Sequence, residues 1–269
     1  MTALPTLAAF DLDGTLLNSA KEITPRTLDA VRALAATGCV CCLASGRMYR
    51  DCMDGYAAQL GLPSPVIAYN GAMILGPDGE IWDETSIPAE LCQPVLDEVI
   101  AHDRHLNIYH RDTMYCRRPT AWGDLYIERT GARPVYRDDV YEWFAGKTST
   151  KLLIVDAPET ISRLREEFSE RYGGALYITI TEREYLEFIH PDSNKGRALL
   201  ALCAHFGLDP ADSVGFGDAP NDIPLLELAG RGYAMADARG SVKAVADALA
   251  PSNDEDGVAQ VIEGWLAAR

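Results

Sequence analysis

A short apolar run near the start of the chain ends directly in two carboxylates. Residues 7–12, with the sequence LAAFDL, have the length and composition of a short buried strand, and the polar turn Asp13-Gly14-Thr15 follows at once. Few local patterns constrain a fold as strongly, because a buried strand needs neighbouring strands and covering helices. The chain is therefore predicted to begin with the first strand of a larger layered domain.

The following elements continue this pattern. A helix is predicted from Pro25, with Thr24 as its N-cap and Gly38 just beyond its end. The run CVCCLAS predicts a second strand, residues 48–60 a second helix, and PVIAY a third strand. Strands alternating with helices are typical of right-handed parallel crossovers. The fold class is therefore predicted as α/β, with a doubly wound, Rossmann-like parallel sheet.

The pattern changes after the third strand. Residues 76–79 (GPDG) predict a hairpin turn, and a second α/β unit with hairpin-paired, antiparallel strands is expected from about Asp83. After Pro191 the first pattern returns, with a helix from about Asn194. We therefore predict a core domain formed by residues 1–83 and 190–269. An inserted α/β domain is expected at residues 84–189, with a loop rich in aromatic and arginine residues before its strand KLLIVD.

Charge and hydropathy restrict the possible partners. The 40 acidic and 24 basic residues give a formal net charge of −16, which repels polyanions, so no nucleic-acid partner is expected. No apolar run approaches the roughly 18 residues that span a bilayer, and residues 1–10 lack the basic region of a secretory signal. The chain is expected to be cytoplasmic, without a membrane partner, and a monomer or small homo-oligomer.

Two pairs of carboxylates follow apolar runs at opposite ends of the chain. Asp11 and Asp13 belong to the first pair, and Asp218 and Asp222, within GFGDAPNDIPLL, to the second. The carboxyl ends of parallel strands meet at one edge of a sheet, where ligands bind. Carboxylate oxygens suit a hard cation, so the sequence predicts a magnesium (Mg²⁺) site there.

Such a site supports phosphoryl transfer. A carboxylate such as Asp11 can attack phosphorus to form an aspartyl-phosphate, which divides a difficult hydrolysis into two easier steps. The leaving oxygen then needs a proton, which Asp13 is placed to exchange. Lys195, Ser45 and the backbone amides after Ser45 can neutralise the phosphoryl oxygens, and a helix expected soon after Gly46 would add to the attraction for anions.

Four ordered motifs give the chain a family resemblance over nearly its whole length. The motifs DLDGTLL (residues 11–17), ASGR (44–47), NKG (194–196) and GDAPND (217–222) resemble those of the haloacid dehalogenase (HAD) superfamily. YNGA (69–72) and SNDEDGV (252–258) further resemble its Cof-type phosphatase branch, which carries an α/β cap inserted between the second and third motifs. The predicted insert has that position.

The resemblance implies a role for each motif residue. Asp11 would be the nucleophile and a metal ligand. Asp13 would be the general acid and base and bind metal through its backbone carbonyl. Asp218 would be the third protein ligand, with Asp222 a ligand or a support for one. Four residues would hold the phosphoryl group: Ser45, Gly46, Lys195 and Asn221. Arg47 and Asn70 would lie at the substrate edge of the site.

The implied activity is hydrolysis of small phosphomonoesters, either sugar phosphates or phosphorylated cofactors, under a mobile cap. Two alternatives remain open: a phosphotransferase or phosphomutase that uses the same aspartate, and a non-enzymatic phospho-aspartate switch. Simpler structural interpretations also remain for single residues. Asp222 could only cap a helix near Ile223, and Asn70-Gly71 could only form a turn.

The insert contains a polar and aromatic cluster across an apparent hairpin, and a substrate-reading face is one interpretation. Because side chains alternate along a strand, only about half of the cluster can face one side, and each member taken singly is expected at the surface. The members are His105, Asn107, Tyr109, His110, Tyr115, Arg117 and Arg118.

Overall fold

The computed structural model describes residues 4–268. Its strands, in chain order, are β1 Leu7–Asp11, β2 Val40–Ala44, β3 Val66–Ala68, β4 Met73–Leu75, β5 Ile81–Glu84, β6 His105–His110, β7 Thr113–Cys116, β8 Val135–Tyr136, β9 Lys151–Val155, β10 Tyr177–Glu182, β11 Tyr185–Ile189, β12 Ser213–Gly217, β13 Arg231–Met235 and β14 Ala248–Ala250. Its helices are α1 Pro25–Ala35, α2 Asp54–Leu60, α3 Ala89–His102, α4 Ala121–Thr130, α5 Val140–Phe144, α6 Pro158–Tyr172, α7 Lys195–Phe206, α8 Ile223–Leu228, α9 Gly240–Lys243 and α10 Gly257–Ala267.

The described residues form two compact units. The first contains residues 4–47, 53–83 and 194–268, and the second contains residues 48–52 and 84–193. Within the described residues, no helix combines the length and the apolar character that crossing a membrane requires.

The first unit is organised by an eight-stranded sheet. Its strand order is β14-β13-β12-β1-β2-β3-β4-β5. Every pair from β14 to β3 is parallel, and β3 and β4 are antiparallel. The chain moves outward from β1 through β2 and β3, then returns to the other side of β1 with β12. The strand order therefore reverses beside β1, which makes the carboxyl end of that strand the switch point at which such sheets bind ligands.

Local sequence explains why these elements form. Thr24 accepts a hydrogen bond from the amide of Thr27 at 3.1 Å and Pro25 starts α1, as predicted. All five residues of β1 are buried, so this strand has apolar neighbours on both faces. On one face, Leu7 and Ala9 belong to a buried cluster with Leu199 and Leu202 of α7. Packing of this helix against the sheet brings its first residues to the sheet edge where Asp11 lies.

The second unit is built on a six-stranded sheet of order β10-β11-β9-β6-β7-β8. Most of its pairs are antiparallel, as predicted, and the short pair β7 and β8 is parallel. One buried cluster contains Leu106, Leu152 and Leu186 from the strands together with Leu96 of α3 and Leu164 of α6. The predicted α/β fold class, a parallel doubly wound sheet with a further inserted α/β unit, is confirmed.

Two element predictions are wrong. The helix expected at residues 48–60 begins only at Asp54, because Asp51 has a φ of 67°, which a right-handed helix does not allow. In the turns before it, the Asp112 carboxylate accepts hydrogen bonds from the amides of Tyr49 (3.1 Å) and Arg50 (2.9 Å). The stretch expected as a loop contains α4 and α5. Thr120 caps α4 by accepting from the amide of Gly123 at 3.0 Å.

The expected surface position of the insert's polar cluster is wrong for three of its members. His105, Asn107 and Tyr109 are buried, whereas Arg117 and Arg118 are exposed. Tyr109 donates a hydrogen bond to the hydroxyl of Tyr126 at 2.7 Å, and a ring nitrogen of His105 lies 2.8 Å from Oδ1 of Asn107. These contacts lie under α4, which the hairpin sequence alone does not indicate, and among the described residues Nδ2 of Asn107 has no hydrogen-bond partner.

Phe216 provides a test of the core packing in the first unit. Its ring is fully buried, with centroids 5.4 Å from Phe10, 4.9 Å from Tyr233 and 5.9 Å from Trp265. We expect Phe216→Ala to lower the free energy of unfolding by about 3–5 kcal/mol, because it removes buried contacts and leaves a cavity. Urea denaturation measures this change.

Phe206→Ala is the matched control. Phe206 is 39% exposed at the end of α7, so its truncation should cost less than about 1 kcal/mol. Equal losses in the two variants would contradict the position assigned to Phe216.

Candidate active site

The candidate site lies at the carboxyl ends of the strands in the first unit. Asp11 is the last residue of β1, and β1 lies between β2 and β12. Ser45 directly follows β2, and Asp218 directly follows β12. Parallel register therefore brings residues from distant parts of the sequence to one edge of the sheet, with Asp11 paired beside Ala44 and Phe10 beside Phe216.

Lys195 is buried at the centre of this group. It is the first residue of α7, which begins there because Asn194 accepts a hydrogen bond from the amide of Arg197 at 2.9 Å. Its ammonium group donates to Oδ1 of Asp11 and, at 2.5 Å, to Oδ1 of Asp222. Lys195 and Asp222 are fully buried and Asp11 is 5% exposed, so the three groups form an ion cluster shielded from water.

The loop after β12 is held by its own acidic residues. Oδ2 of Asp222 accepts hydrogen bonds from the amides of Asp218 and Ala219, both at 3.0 Å. Asp222 precedes α8 without capping it through its side chain, so the helix-cap interpretation of this residue is wrong. Thr15 donates its hydroxyl proton to Oδ1 of Asp218 at 3.2 Å, which ties this loop to the turn after β1.

The acidic groups outnumber the cation that they share. Burial and the charge of Asp222 raise the pKa of Asp11 well above its usual range, although Lys195 opposes that shift. Burial and the same neighbouring charge raise the pKa of Asp218 to about 6. The charges of Asp11 and Asp222 raise the pKa of Lys195, which outweighs the effect of its burial. The lysine therefore stays charged, and three carboxyl groups share this one cation.

The geometry of the cluster suits a metal ion. Asp11, Asp218 and Asp222 each offer a ligand atom, and these atoms lie within 4.8 Å of one another. Carboxylate oxygens are ligands that Mg²⁺ prefers. The residues present therefore fit a hard divalent cation, with Asp11 and Asp218 as the better candidates, since both oxygens of Asp222 already accept hydrogen bonds.

Asp13 is held apart from this cluster by two cations. Arg47 donates to both carboxylate oxygens of Asp13, each at 2.7 Å, and Lys21 donates to Oδ1 at 3.0 Å. Burial would raise the pKa of Asp13, but the hydrogen bonds and charges of Arg47 and Lys21 outweigh it and lower the pKa. The guanidinium of Arg47 also lies over the ring of Tyr56, 5.7 Å from its centroid.

Ser45, Gly46, Asn70 and Asn221 form a polar wall beside the cluster. The amide of Asn70 donates to the carbonyl of Ser45 at 2.9 Å, and Oδ1 of Asn70 accepts from Nδ2 of Asn221, also at 2.9 Å. A Cβ atom added to Gly46 would lie 2.9 Å from Oδ1 of Asn70, so only glycine permits this approach without a shift. Asn70 thus links three predicted motif residues, which is more than a turn requires.

Every predicted site residue lies in the first unit, on a few neighbouring segments. Two details differ from expectation: no helix begins directly after Gly46, and Arg47 binds Asp13. Sequence reasoning missed Thr15 and Lys21. Thr15 lies in the DGT turn, so the motif itself could have identified it. No motif contains Lys21, because its position depends on how the loop after Leu17 folds.

The fold and the site together define a class of hydrolase. A family model for haloacid dehalogenase-like hydrolases matches residues 8–262, and the chain belongs to this family. The predicted family and the predicted enzyme class, a HAD-type hydrolase, are confirmed.

Individual relatives match this chain over nearly their whole length. The chain is 28% identical to the 5-amino-6-(5-phospho-D-ribitylamino)uracil phosphatase YitU of Bacillus subtilis, over 99% of this chain and 100% of that protein. It is 30% identical to the HMP-PP phosphatase of Yersinia enterocolitica, over 97% of this chain and 95% of that protein. A crystal structure from Thermotoga maritima is similar with a TM-score of 0.90 and 29% identity, covering 97% of both chains.

Gly71 offers a test of how Lys195 is positioned. Gly71 has a φ of 95°, and a Cβ atom there would lie 2.2 Å from the carbonyl oxygen of Asn194, the residue that caps α7. We expect Gly71→Ala to lower the free energy of unfolding by about 1–3 kcal/mol more than a change at an uncrowded glycine, because the start of α7 must shift.

Gly38→Ala is the matched control. Gly38 has a φ of 96° and no atom within 4 Å of an added Cβ, so it carries the same backbone strain without the collision. Chemical denaturation of both variants measures the difference. The close approach of Gly71 to α7 would be refuted by equal losses.

Proposed function

We propose that this protein is a magnesium-dependent phosphatase that hydrolyses small phosphomonoesters through an aspartyl-phosphate on Asp11. One observation carries the proposal: the buried ammonium of Lys195 joins Asp11 to Asp222 within a cluster whose ligand atoms suit a divalent cation. The membership of this protein in the hydrolase family and the names of its phosphatase relatives support the same reaction.

In the first chemical step, an oxygen of Asp11 attacks the phosphorus and the bond from phosphorus to the leaving oxygen breaks. Asp13, which first takes up a proton from solvent or from the substrate's own phosphate, supplies the proton that the leaving alcohol needs. In the second step, Asp13 takes a proton from a water molecule that attacks the same phosphorus, and the acyl phosphate bond breaks. Asp11 is regenerated and inorganic phosphate leaves, so atoms and charges balance over the cycle.

Other residues of the site bind rather than react. Lys195 orients Asp11 and supplies a positive charge for the phosphoryl oxygens. The hydroxyl of Ser45, the backbone at Gly46 and the amide of Asn221 are available as hydrogen-bond donors at the sheet edge. Arg47 binds Asp13 in this structure, and an anionic substrate that took over the guanidinium would release that carboxylate for proton transfer.

Asp11 and Asp218 would hold the Mg²⁺ ion, with Asp222 as a third ligand or a support and the backbone carbonyl of Asp13 as the contribution expected from the motif. When bound, the ion supplies positive charge that neutralises the phosphoryl group. Its charge would also offset, at the site, the net negative charge of the protein, which otherwise disfavours an anionic substrate.

Sugar phosphates and phosphorylated cofactors are the proposed substrate class. The name of the B. subtilis relative describes a phosphorylated ribityl compound, which belongs to this size range. The insert predicted at residues 84–189 is proposed to be the cap domain that provides substrate specificity. A phosphotransferase would use the same Asp11, so the acceptor of the phosphate, water or a second hydroxyl, separates these two reactions.

The first test is phosphate release from a panel of sugar phosphates, nucleotides and phosphorylated cofactors, with the two compounds named for the relatives included. We expect release that requires Mg²⁺ and stops with chelator. Asp11→Asn should abolish it, because an amide oxygen is too weak a nucleophile, while circular dichroism should show an intact fold.

Asp29→Asn is the matched control, since Asp29 is an exposed residue of α1. This variant should keep wild-type release. Residual turnover in Asp11→Asn would exclude Asp11 as the nucleophile. Transfer of phosphate to an added sugar alcohol at the expense of free phosphate would favour the phosphotransferase.

A second test separates the two roles of Asp13. With p-nitrophenyl phosphate, the leaving group is stable as an anion and needs no proton, so Asp13→Asn should still form the aspartyl-phosphate. The second step needs the base and should slow by roughly 10²- to 10⁴-fold. Rapid-mixing measurements should therefore show a burst of one nitrophenol per enzyme, followed by slow release. An alkyl phosphate should give no burst in this variant, and equal bursts from both substrates would contradict the acid role.

A further inference from the structure

The segment at residues 252–257 holds the loop that follows the two catalytic aspartates. Nδ2 of Asn253 donates to the carbonyl of Leu17 at 2.7 Å. The carboxylate of Asp254 accepts from both the amide and the hydroxyl of Ser19, each at 2.7 Å. These bonds join residues 235 or 236 positions apart, so the end of the chain fixes the course of the loop near its beginning.

The loop places a cation on the proposed acid and base. Asn18 closes the turn, because its carbonyl accepts from the amide of Lys21 at 2.9 Å and its side chain accepts from the amides of Ala20 and Glu22, both at 3.0 Å. Lys21 then reaches Oδ1 of Asp13 at 3.0 Å. Together with Arg47, it gives that carboxylate three donors, which fix the direction in which its oxygens point.

The backbone of Lys21 is strained in this position. It has a φ of 62°, in the left-handed region that disfavours a residue with a Cβ. Such a conformation persists only where the surrounding structure specifies it. The contacts that do so are the Asn18 turn, the hydroxyl of Tyr56, which donates to the carbonyl of Lys21 at 3.2 Å, and the bonds from Asn253 and Asp254.

We propose that Asn253 and Asp254 are positioning residues for the reaction: they hold the loop at residues 17–22 so that Lys21 fixes the carboxylate of Asp13, including when a substrate takes over Arg47. The inference rests on the proposed function, because it concerns the residue that exchanges the proton. It gives a physical role to Asn253 and Asp254 of the SNDEDGV motif, whose side chains reach Leu17 and Ser19 rather than the carboxylate cluster itself.

The main test compares Asp254→Ala with wild type. Loss of the two bonds to Ser19 should lower kcat about 10-fold, since a displaced proton donor is misaligned with the leaving oxygen. KM should stay within about twofold, because the bonds described for Lys195 and Asn221 join them to Asp222 and Asn70, outside the loop. Hydrogen exchange at residues 17–22 should accelerate. Asp254→Asn should retain most of kcat, since its side chain can still bond both groups of Ser19.

Glu255→Gln is the matched control for charge. The Glu255 carboxylate bonds only to the amide and hydroxyl of Ser252, within its own turn, so this variant should change neither kcat nor exchange in the loop. If Glu255→Gln and Asp254→Ala lower kcat equally, the effect is one of overall charge and the proposal is wrong.

A double-mutant cycle tests whether Asp254 acts through Lys21. Lys21→Met should lower kcat by a similar factor, and adding Asp254→Ala to it should cause little further loss. Additive losses, or an unchanged kcat in Lys21→Met, would overturn the proposal.

Failure of the proposed function itself is recognisable, because then the wild-type protein releases no phosphate from any substrate. Hydrogen exchange and a crystal structure of Asp254→Ala would still test the tether. Retention of both the Lys21 to Asp13 contact and slow exchange in that variant would refute it.

Discussion

The ion cluster around Lys195 is the interaction on which the first unit depends. Its ammonium, with no exposure to solvent, binds carboxylates from β1 and from the loop after β12, and the lysine itself begins α7. Removing one member of such a buried group typically costs about 3–5 kcal/mol, because the charges that remain have lost their partner. The geometry therefore has to be maintained by the backbone around it.

Two glycines, Gly14 and Gly217, permit that geometry. A Cβ atom on Gly217 would lie 2.3 Å from Cβ of Asp222, and one on Gly14 would lie 2.6 Å from Oδ2 of Asp218. The glycines in the motifs thus let acidic side chains approach the backbone of a neighbouring segment. They leave the carboxylates where their charges meet Lys195, so packing and electrostatics impose the same restrictions on the sequence.

The parts of this arrangement that sequence reveals are those with a local cause. Thr24 before Pro25 identifies the start of α1, and buried runs such as LAAFD identify the central strands, because capping and burial leave direct signatures. The site follows from topology, since polar residues at the carboxyl ends of parallel strands must converge. The contact from Asn70 to Asn221 could not be predicted, because it joins two loops whose conformations depend on the whole sheet.

The failures have a common physical cause in tertiary contacts. The stretch at residues 48–60 has helical composition, but Asp51 adopts a positive φ that interrupts a helix, and Asp112 binds the amides of Tyr49 and Arg50 in the preceding turns. Thr120 caps the start of α4 and Gly131 ends it, and both residue types are typical helix boundaries. The many aromatic and arginine residues between them led to the prediction of a loop instead. Lys21 reaches Asp13 from a loop that hydrogen bonds from the opposite end of the chain help to hold.

The insertion of the second unit also affects how the protein is made. Asp11 and Lys195 are 184 residues apart in the chain. At a synthesis rate of roughly 5–20 residues per second, about 10–40 seconds separate their appearance on a ribosome. During that interval the first strand carries an unneutralised carboxylate that disfavours its burial. The inserted unit is complete before Lys195 emerges, so it can fold first, and closure of the parallel sheet then becomes a late event in biosynthesis.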